Sequence, residues 1–440
     1  MAVEAEHGKE RVSRKAPAAE RAPHDSHLAG GGGLSPAGDV KSFRRHVRRY
    51  VQAQEHDFVA VIPQEIGELC HQELTELGVR NLRISEAGVE FSGRLTVCML
   101  VNLWSRTASR VLCRLPHFRV GVVGELFHRT AAVPWEYWLD PRVPVLVQAH
   151  SLQSRVEHEG MISETVLRAV QHRFHDRGFA VPAVWVPPRE ADEGADRGLA
   201  QRILVRLENN RCVISLDTTG RHLHQRGYRR KHGGAPMRET LAAAILLQAN
   251  WRGDRPLVDG LCGAGTLAIE GAMLARRIPP GIEREFLFEQ WPGHQSRTWD
   301  YLRRKAREGV LPHSPVPIVA VDRDRATVQL ARENADRAGV GNDIQWEVAD
   351  FLTVRPQVLG LAPGLVVLDP PYGVRTQQDT DLAGPYRRLG AHLREAFRGW
   401  QVAVAAPSPE LARGLGFPRK RLWRLPHGGI SLSICLATMG

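Results

Sequence analysis

The chain has 440 residues, of which 43% are hydrophobic, and its formal net charge is +11. This length predicts two or three domains, and the composition is typical of a folded chain and not of a disordered one. The longest uninterrupted apolar run, residues 241–247, is too short to cross a bilayer, and no apolar signal segment begins the chain. The six cysteines form no CxxC pair, so no metal site is predicted, and we expect a soluble, cytoplasmic protein without a membrane partner.

The positive charge is clustered and consists mostly of arginine, since only six of the 59 cationic residues are lysine. Residues 41–50 contribute +5, residues 218–238 contribute +6 and residues 411–440 contribute +5, so the remainder of the chain is negative. Guanidinium groups can form two hydrogen bonds to phosphate and can stack on bases, which favours nucleic acid as a partner. A coding bias that replaces lysine by arginine is the alternative explanation.

The N-terminal part begins with a segment, residues 1–42, whose composition predicts a disordered tail. A ferredoxin-like α+β domain is predicted over residues 43–94. The predicted order of elements is βαββαβ, which is typical of that fold. The elements in that order are strands at 58–62, 79–84, 89–91 and 110–115 and helices at 64–77 and 95–105, so the last helix and strand lie beyond residue 94.

A second α/β stretch follows, to residue 217. It contains a predicted strand at 143–149, a helix at 161–175 and a hairpin of 203–207 with 212–216, which turns at Asn209 and Asn210. Residues 218–235 are predicted to be a basic linker. Its candidate phosphate-binding side chains are Arg221, Arg226, Arg229, Arg230 and Lys231.

The third region, residues 236–440, begins with a strong helix over 237–251 and then alternates strands with helices. This alternation predicts a doubly wound, mostly parallel sheet. The last two strands lie close together in sequence and predict an antiparallel hairpin at its edge. The predicted strands are 256–259, 317–322, 344–348, 365–369, 401–405, 419–425 and 430–437.

The first of these strands runs into a glycine-rich turn that precedes a helix. Glycines here allow the backbone to approach a ligand at a helix N-terminus. The candidate cofactor-binding residues are Asp259, Cys262, Gly263, Gly265 and Thr266. Residues 263–268 also fit the G-x-G-x-x-A dinucleotide pattern, so a nicotinamide-dependent oxidoreductase remains an alternative at this point.

The second and third strands each end in an acidic residue. Asp322 is placed to receive the two hydroxyls of a ribose, and Asp350 to accept from an adenine amino group, with Phe351 beside it. The distance from Gly265 to Asp322 is much longer than the usual ~20 residues of the dinucleotide pattern. An insertion, roughly residues 279–315, is therefore predicted between them.

The fourth strand ends in the sequence Asp369, Pro370, Pro371, Tyr372 and Gly373, which is the candidate catalytic motif. The lone pair of an exocyclic base amine is delocalised into the ring. The carboxylate of Asp369 and the carbonyl oxygen of Pro370 can accept its two N–H groups and direct the lone pair toward an incoming methyl group. The two prolines stiffen the turn, and Tyr372 offers a face on which a flipped base can stack.

These motifs resemble those of the class I (Rossmann-like), S-adenosylmethionine-dependent amino-methyltransferases. More narrowly, residues 216–220, 223–229, 235–244 and 288–292 resemble the THUMP-containing RNA guanine-N2 methyltransferases, in particular the half of the bacterial large-subunit rRNA enzyme that makes N2-methylguanine. The resemblance implies a THUMP RNA-binding domain over residues 95–217, S-adenosylmethionine as cofactor and structured RNA as substrate. It also implies methyl transfer to guanine N2.

Two departures from the family pattern affect the choice of RNA. Gly260 stands where the family commonly has proline, and Asp369 stands where the rRNA enzyme typically has asparagine. With aspartate at this position, the motif is more like that of the tRNA guanine-N2 methyltransferases. A tRNA methyltransferase and a non-catalytic RNA-binding assembly factor therefore remain alternatives to an rRNA enzyme.

Overall fold

The computed structural model describes residues 40–185, 200–229, 237–370, 382–427 and 430–440. Across these ranges the chain forms two β-sheets with helices packed on them. No helix in this part of the chain is long and apolar enough to pass through a bilayer. The predicted tail lies outside the described residues except for positions 40–42, which already belong to the first helix.

The strands of the N-terminal sheet are β1 (His56–Val61), β2 (Arg83–Ser85), β3 (Gly88–Gly93), β4 (Arg110–Arg114), β5 (Phe118–Arg119), β6 (Val145–Leu152), β7 (Gln201–Glu208) and β8 (Arg211–Asp217). Those of the C-terminal sheet are β9 (Leu257–Asp259), β10 (Ile318–Asp322), β11 (Gln345–Val348), β12 (Leu365–Leu368), β13 (Gln401–Ala406), β14 (Lys420–His427) and β15 (Ile430–Thr438).

The α-helices are α1 (Val40–Val47), α2 (Gly67–Glu76), α3 (Leu95–Trp104), α4 (Val123–Ala131), α5 (Glu159–Asp176), α6 (Glu239–Gln248), α7 (Thr266–Ala275), α8 (Ser296–Glu308), α9 (Arg325–Arg337), α10 (Ala383–Ala396) and α11 (Pro409–Gly414). A π-helical segment, Arg48–Gln52, extends α1. Short 3₁₀ turns occupy Gln64–Ile66, Trp135–Tyr137, Leu287–Gln290, Gly341–Asp343 and Phe351–Thr353.

The first half of the N-terminal sheet is the predicted βαββαβ unit. β1 lies between β3 and β4 and is antiparallel to both. Phe58 and Phe91 are register partners in β1 and β3, and their buried rings stack 5.3 Å apart. Because β4 supplies the partner for one edge of β1, this unit ends after Arg114, which corrects the predicted boundary at residue 94.

The same sheet continues without a break into the second half, in the order β4-β8-β7-β6. The predicted hairpin is confirmed as β7 and β8, and both turn residues, Asn209 and Asn210, have positive φ angles (50° and 60°). Asparagine tolerates this left-handed conformation, which a two-residue hairpin turn requires. α4 and α5 pack against each other, and α5 packs against β6.

The C-terminal sheet has the order β11-β10-β9-β12-β13-β15-β14. The first five strands are parallel, and β15 and β14 are antiparallel additions, so the predicted doubly wound sheet and its edge hairpin are confirmed. Helix α6 is shorter than predicted, because Arg238 before it is extended and Asn250 after it has a φ of 52°. The predicted insertion contains α8, which packs against α3 of the N-terminal region.

Candidate cofactor and catalytic site

A cavity of about 670 Å³ opens at the carboxyl ends of the parallel strands β9, β10, β11 and β12. Ligands of doubly wound sheets bind at this edge, because the loops that leave the strands diverge there. Most of the predicted cofactor and catalytic residues that the structure describes line it: Cys262, Gly263, Thr266, Asp322, Asp350, Phe351, Asp369 and Pro370. Asp259 and Gly265 are not among the lining residues.

The glycine-rich turn between β9 and α7 forms one wall of the cavity. Gly263 has a φ of 50°, and a Cβ atom built on it would meet nothing within 4 Å, so its backbone faces open space. Gly265 has a φ of 83° and precedes the first residue of α7; a Cβ atom there would lie 3.0 Å from the side chain of Ala331. One glycine therefore leaves room for a ligand, whereas the other allows the turn to pack closely on α9.

Asp259 lies beneath this wall and is completely buried. Its Oδ2 accepts a hydrogen bond from the backbone N–H of Ala268 (3.1 Å), in the first turn of α7, where backbone N–H groups have no helical partner. Burial, reinforced by the negative charges of Asp369 and Asp322, raises the pKa of Asp259 to about 8. Asp259 thus holds the first turn of α7, which directly follows the glycine-rich turn.

Asp322 ends β10 and faces the cavity. One carboxylate oxygen accepts from the N–H of Gly263 (3.1 Å) and the other from the N–H of Asp324 (3.0 Å), so the glycine turn and the second strand hold each other in place. Asp324, by contrast, is the N-cap of α9 and accepts from Ala326 and Thr327. Its interactions are those of a helix cap.

Asp350 and Phe351 follow β11. Asp350 is exposed, and its Oδ1 accepts from the N–H of Leu352 (2.9 Å), which fixes the turn. Phe351 is buried and packs edge-on against His392 and close to Phe397. A Cβ atom on Gly260 would lie 2.4 Å from the ring of Phe351, so the phenyl ring occupies the space that any larger residue at position 260 would need.

The candidate catalytic motif begins where β12 ends. Asp369 and Pro370 both line the cavity, after the strand that pairs with β9. The charge of Asp369 acts on two buried groups, because it helps to raise the pKa of Asp259 and, after burial, that of Tyr386. Pro371 and Tyr372 lie outside the described residues.

Helix α10 forms a further wall that the sequence analysis did not identify. Leu382, Pro385, Tyr386 and Leu389 all line the cavity. Tyr386 is 2% exposed, and its hydroxyl group donates to the carbonyl oxygen of Ala405 (3.3 Å) in β13. Apolar residues at intervals of three and four after the catalytic motif were the available signal for this wall.

The cavity is acidic on the strand side, where Asp322, Asp350 and Asp369 face it, and its cationic lining residues are Arg323 and Arg388. Such a lining suits a ligand with a positively charged centre and with hydroxyl and amino donors. Within the described ranges, no group of three His, Cys, Asp or Glu side chains is arranged to hold a metal ion.

The predicted phosphate-binding arginines of the linker do not all reach the surface. The Arg226 side chain is 1% exposed and forms an ion pair with Glu270 (3.3 Å), which is also buried. Arg229 is 12% exposed; it donates to the hydroxyl oxygen of Thr266 and lies 3.5 Å from Glu239. These two residues hold the linker on the C-terminal domain, so the prediction that they contact RNA is corrected.

Arg221 is exposed, and its predicted contact with RNA stays a prediction. Arg230 and Lys231 lie outside the described residues. The carbonyl oxygens of Arg221, His222 and Gln225 all accept from the guanidinium group of Arg284, which belongs to the insertion. Residues 218–229 are thus a fixed strap between the two sheets.

The strand order, the glycine turn and the row of acids at the strand ends define residues 237–440 as a class I methyltransferase domain. Residues 226–425 match the family of RMKL-like methyltransferase domains, and residues 57–112 match the RlmL ferredoxin-like domain. Over these segments the chain is similar to the RlmL-like methyltransferases. This similarity favours methyl transfer over the hydride-transfer alternative.

Individual relatives agree with this assignment. The ribosomal RNA large subunit methyltransferase K/L of Syntrophotalea carbinolica is 35% identical over 384 residues, which are 85% of this chain and 52% of that protein. This chain therefore spans about half the length of that relative. The putative RNA methyltransferase slr0064 of Synechocystis sp. is 29% identical over 383 residues, 87% of this chain and 96% of that protein. The crystal structure of SMU.472, a putative methyltransferase complexed with SAH, superposes with a TM-score of 0.77 at 26% identity, covering 88% of this chain and 99% of that one.

Proposed function

We propose that this protein transfers a methyl group from S-adenosylmethionine to the exocyclic N2 amine of a guanosine in structured RNA, namely large-subunit rRNA in the cytoplasm. The observation that carries the proposal is the position of Asp369 and Pro370 in the same cavity as the glycine turn and Asp322. An amine acceptor site and a cofactor site must share one cavity for direct transfer, since the two reacting groups have to meet in line.

The lining residues fit S-adenosylmethionine. The open backbone at Gly263 and the acids Asp322 and Asp350 offer partners for the ribose and adenine groups, with Phe351 as an apolar surface for the ring. The acidic strand side suits a sulfonium centre. When bound, the cofactor supplies an electrophilic methyl group, and the remaining chemistry is positioning.

In this proposal Asp369 and the carbonyl oxygen of Pro370 accept the two N–H groups of guanine N2 and aim its lone pair into the cavity. The wall formed by α10 keeps water away, with Tyr386 fixed on β13 by its hydroxyl group. The proposed stacking of the target base on Tyr372 and the stiffening role of Pro371 remain predictions from the sequence.

The N-terminal sheet supplies the docking surface for RNA in this proposal. Its second half, within residues 95–217, is proposed to be a THUMP domain, and the methyltransferase domain spans residues 236–440. The K/L relatives are named for the large ribosomal subunit, which favours rRNA as the substrate. Arg221, Arg230 and Lys231 are the proposed phosphate contacts of the strap and of the chain that follows it.

The central test exchanges Asp369. We expect Asp369→Ala to lower methylation by about 10³-fold, because the amine loses its acceptor, while the Kd for S-adenosylhomocysteine stays within threefold of wild type. Asp369→Asn keeps an acceptor oxygen and should retain activity within about tenfold. Glu333→Gln, an exposed carboxyl on α9 outside the cavity, is the matched control. Full activity of Asp369→Ala would contradict the proposed role.

The RNA class is tested separately with the wild-type protein. Undermodified large-subunit rRNA and tRNA are incubated with labelled cofactor, and the digested nucleosides are identified by mass spectrometry. N2-methylguanosine in rRNA supports the proposal, and the same product only in tRNA would move the assignment to a tRNA enzyme. Tight RNA binding with no affinity for S-adenosylhomocysteine would indicate an assembly factor instead.

A further inference from the structure

The junction between the strap and helix α7 contains a buried polar cluster that the proposed reaction has not used. Its members are Arg226, Tyr228, Arg229, Glu239, Thr266 and Glu270, all of them buried or nearly so. Arg226 and Glu270 pair within this cluster and connect it to the N-terminal region, because Arg226 also donates to the carbonyl oxygen of Arg106 (2.8 Å).

Arg229 contacts Thr266, the member of the cluster that lines the cofactor cavity. The Nη2 atom of Arg229 donates to the hydroxyl oxygen of Thr266 (2.7 Å) and lies 3.3 Å from the carbonyl oxygen of Met237. Glu239 lies 3.5 Å from Nη1, on the other branch of the guanidinium group, and is itself 4% exposed. The orientation of the group is therefore fixed from two sides.

The hydrogen bond between Arg229 and Thr266 determines where the hydroxyl proton of Thr266 points. A guanidinium group can only donate, so the Thr266 oxygen must be the acceptor. Its own proton is then free for another partner, and no described residue accepts a hydrogen bond from it. Because Thr266 lines the cavity, an acceptor can approach this proton from there.

The surroundings of this hydroxyl group favour an anionic acceptor. Thr266 is the first residue of α7, a ten-residue helix whose N-terminus carries a partial positive charge. The nearest of the cavity carboxylates in this network, that of Asp322, already accepts from the N–H groups of Gly263 and Asp324. The Thr266 hydroxyl group at the start of α7 is thus a donor that matches the carboxylate of an S-adenosylmethionine molecule.

We propose that Arg229 is a positioning residue that orients the Thr266 hydroxyl group as a donor to the carboxylate at the amino-acid end of the cofactor. This inference rests on the proposed function for the identity of the ligand. The affinity for the amino-acid end of the cofactor then depends on the position of the strap, because Arg229 belongs to it. The strap begins directly after the last strand of the N-terminal sheet.

The test compares two ligands by isothermal titration of the full chain: S-adenosylhomocysteine, which has the amino-acid end, and 5′-methylthioadenosine, which lacks it. For Arg229→Gln we expect the Kd of S-adenosylhomocysteine to rise about tenfold, the effect of losing a charge-assisted contact. The Kd of methylthioadenosine should stay within twofold. Arg332→Gln, which changes an exposed arginine on α9, should change neither.

Thr266 variants provide the second arm. Thr266→Val should reproduce the selective loss and Thr266→Ser should largely restore affinity, because serine keeps the hydroxyl group. Arg229→Gln in the Thr266→Val background should add little, since both changes remove one contact. If Arg229→Gln does not fold, Arg229→Lys, which keeps the charge but loses the fork, replaces it in the same comparison.

The possible results separate the two hypotheses. Three results would overturn the role of Arg229 and leave the proposed function intact. They are an equal rise in the Kd of both ligands, an unchanged Kd in Arg229→Gln, and additive losses of affinity in the double variant. Failure of the wild-type protein to bind either ligand would instead overturn the proposed function.

Discussion

The carboxyl edge of the C-terminal sheet and the strap of residues 218–229 are both rich in charged residues, but the charges serve opposite purposes. At the sheet edge, Asp322 and Asp350 face a cavity and remain accessible to a ligand. In the strap, Arg226 and Arg229 face inward and are paired with glutamates. The acids that follow β10 and β11 are brought to the cavity by the topology of the sheet, although Asp259 at the end of β9 is buried. Charge in an irregular segment takes whichever direction its partners provide.

The largest effect expected from this contrast is the loss of stability in Arg226→Ala. Removing the cation leaves the buried carboxylate of Glu270 without its partner, which costs about 3–5 kcal/mol of unfolding free energy. Urea denaturation measures the change. Arg221→Ala, in the exposed part of the same strap, is the control and should lie within about 0.5 kcal/mol of wild type. Similar stabilities for the two variants would contradict the buried role of Arg226.

The second effect concerns pH and Asp259. Its pKa is raised from 3.8 in the unfolded chain to about 8, chiefly by burial, so between these values the folded state binds the extra proton. The free energy of unfolding contributed by this group therefore falls as pH rises through that range, by at most about 1.4 kcal/mol per pH unit. Asp259→Asn should remove this slope.

Urea denaturation of wild type and Asp259→Asn from pH 5.5 to pH 8 checks this prediction. Asparagine keeps an acceptor for the N–H of Ala268, so a large loss of stability at pH 5.5 is not expected. Parallel curves for the two proteins would show that Asp259 does not titrate in this range.

The contrast also explains how much could be predicted from the sequence. Strand periodicity and the residues that follow each strand predicted the sheet, its edge hairpin and the loops that supply Gly263, Asp322, Asp350 and Asp369, because a parallel sheet brings its strand ends to one edge. The wall formed by α10 was missed, since its apolar residues at intervals of three and four indicate a buried helix face but do not show that the face lines a cavity.

The misjudged arginines have a different cause. Arg226 and Arg229 pair with Glu270 and Glu239, which lie on α7 and α6. Local sequence around an arginine does not specify a partner carboxylate on another element. The boundary at residue 94 stood before the last predicted helix and strand of the βαββαβ order, and the pairing of β4 with β1 shows that this strand belongs to the unit.

A third and smaller effect is expected for Gly260→Ala, which changes a residue at the carboxyl edge of the C-terminal sheet. The added methyl group would lie 2.4 Å from the ring of Phe351, and displacing this packed ring should cost about 1–3 kcal/mol of stability. The Kd for S-adenosylhomocysteine should rise as well, because Phe351 lines the cavity.

Gly124→Ala, in α4, is the matched control for this substitution. A Cβ atom at position 124 would meet nothing within 4 Å, so this variant should be neutral or slightly more stable than wild type. Equal thermal denaturation midpoints for the two alanine variants would show that the Phe351 ring accommodates the methyl group.

Arg221→Ala is expected to have the smallest effect on stability and a specific effect on RNA affinity. Its side chain is exposed at the start of the strap, so its removal should not change stability. If it contacts a phosphate, RNA affinity should fall several-fold, and the slope of log affinity against log salt should decrease by about one unit. Filter binding of an rRNA fragment at several salt concentrations measures both quantities. An unchanged salt slope would assign the arginines of this strap, exposed and buried alike, to the structure of the interdomain joint and would leave RNA docking to other surfaces.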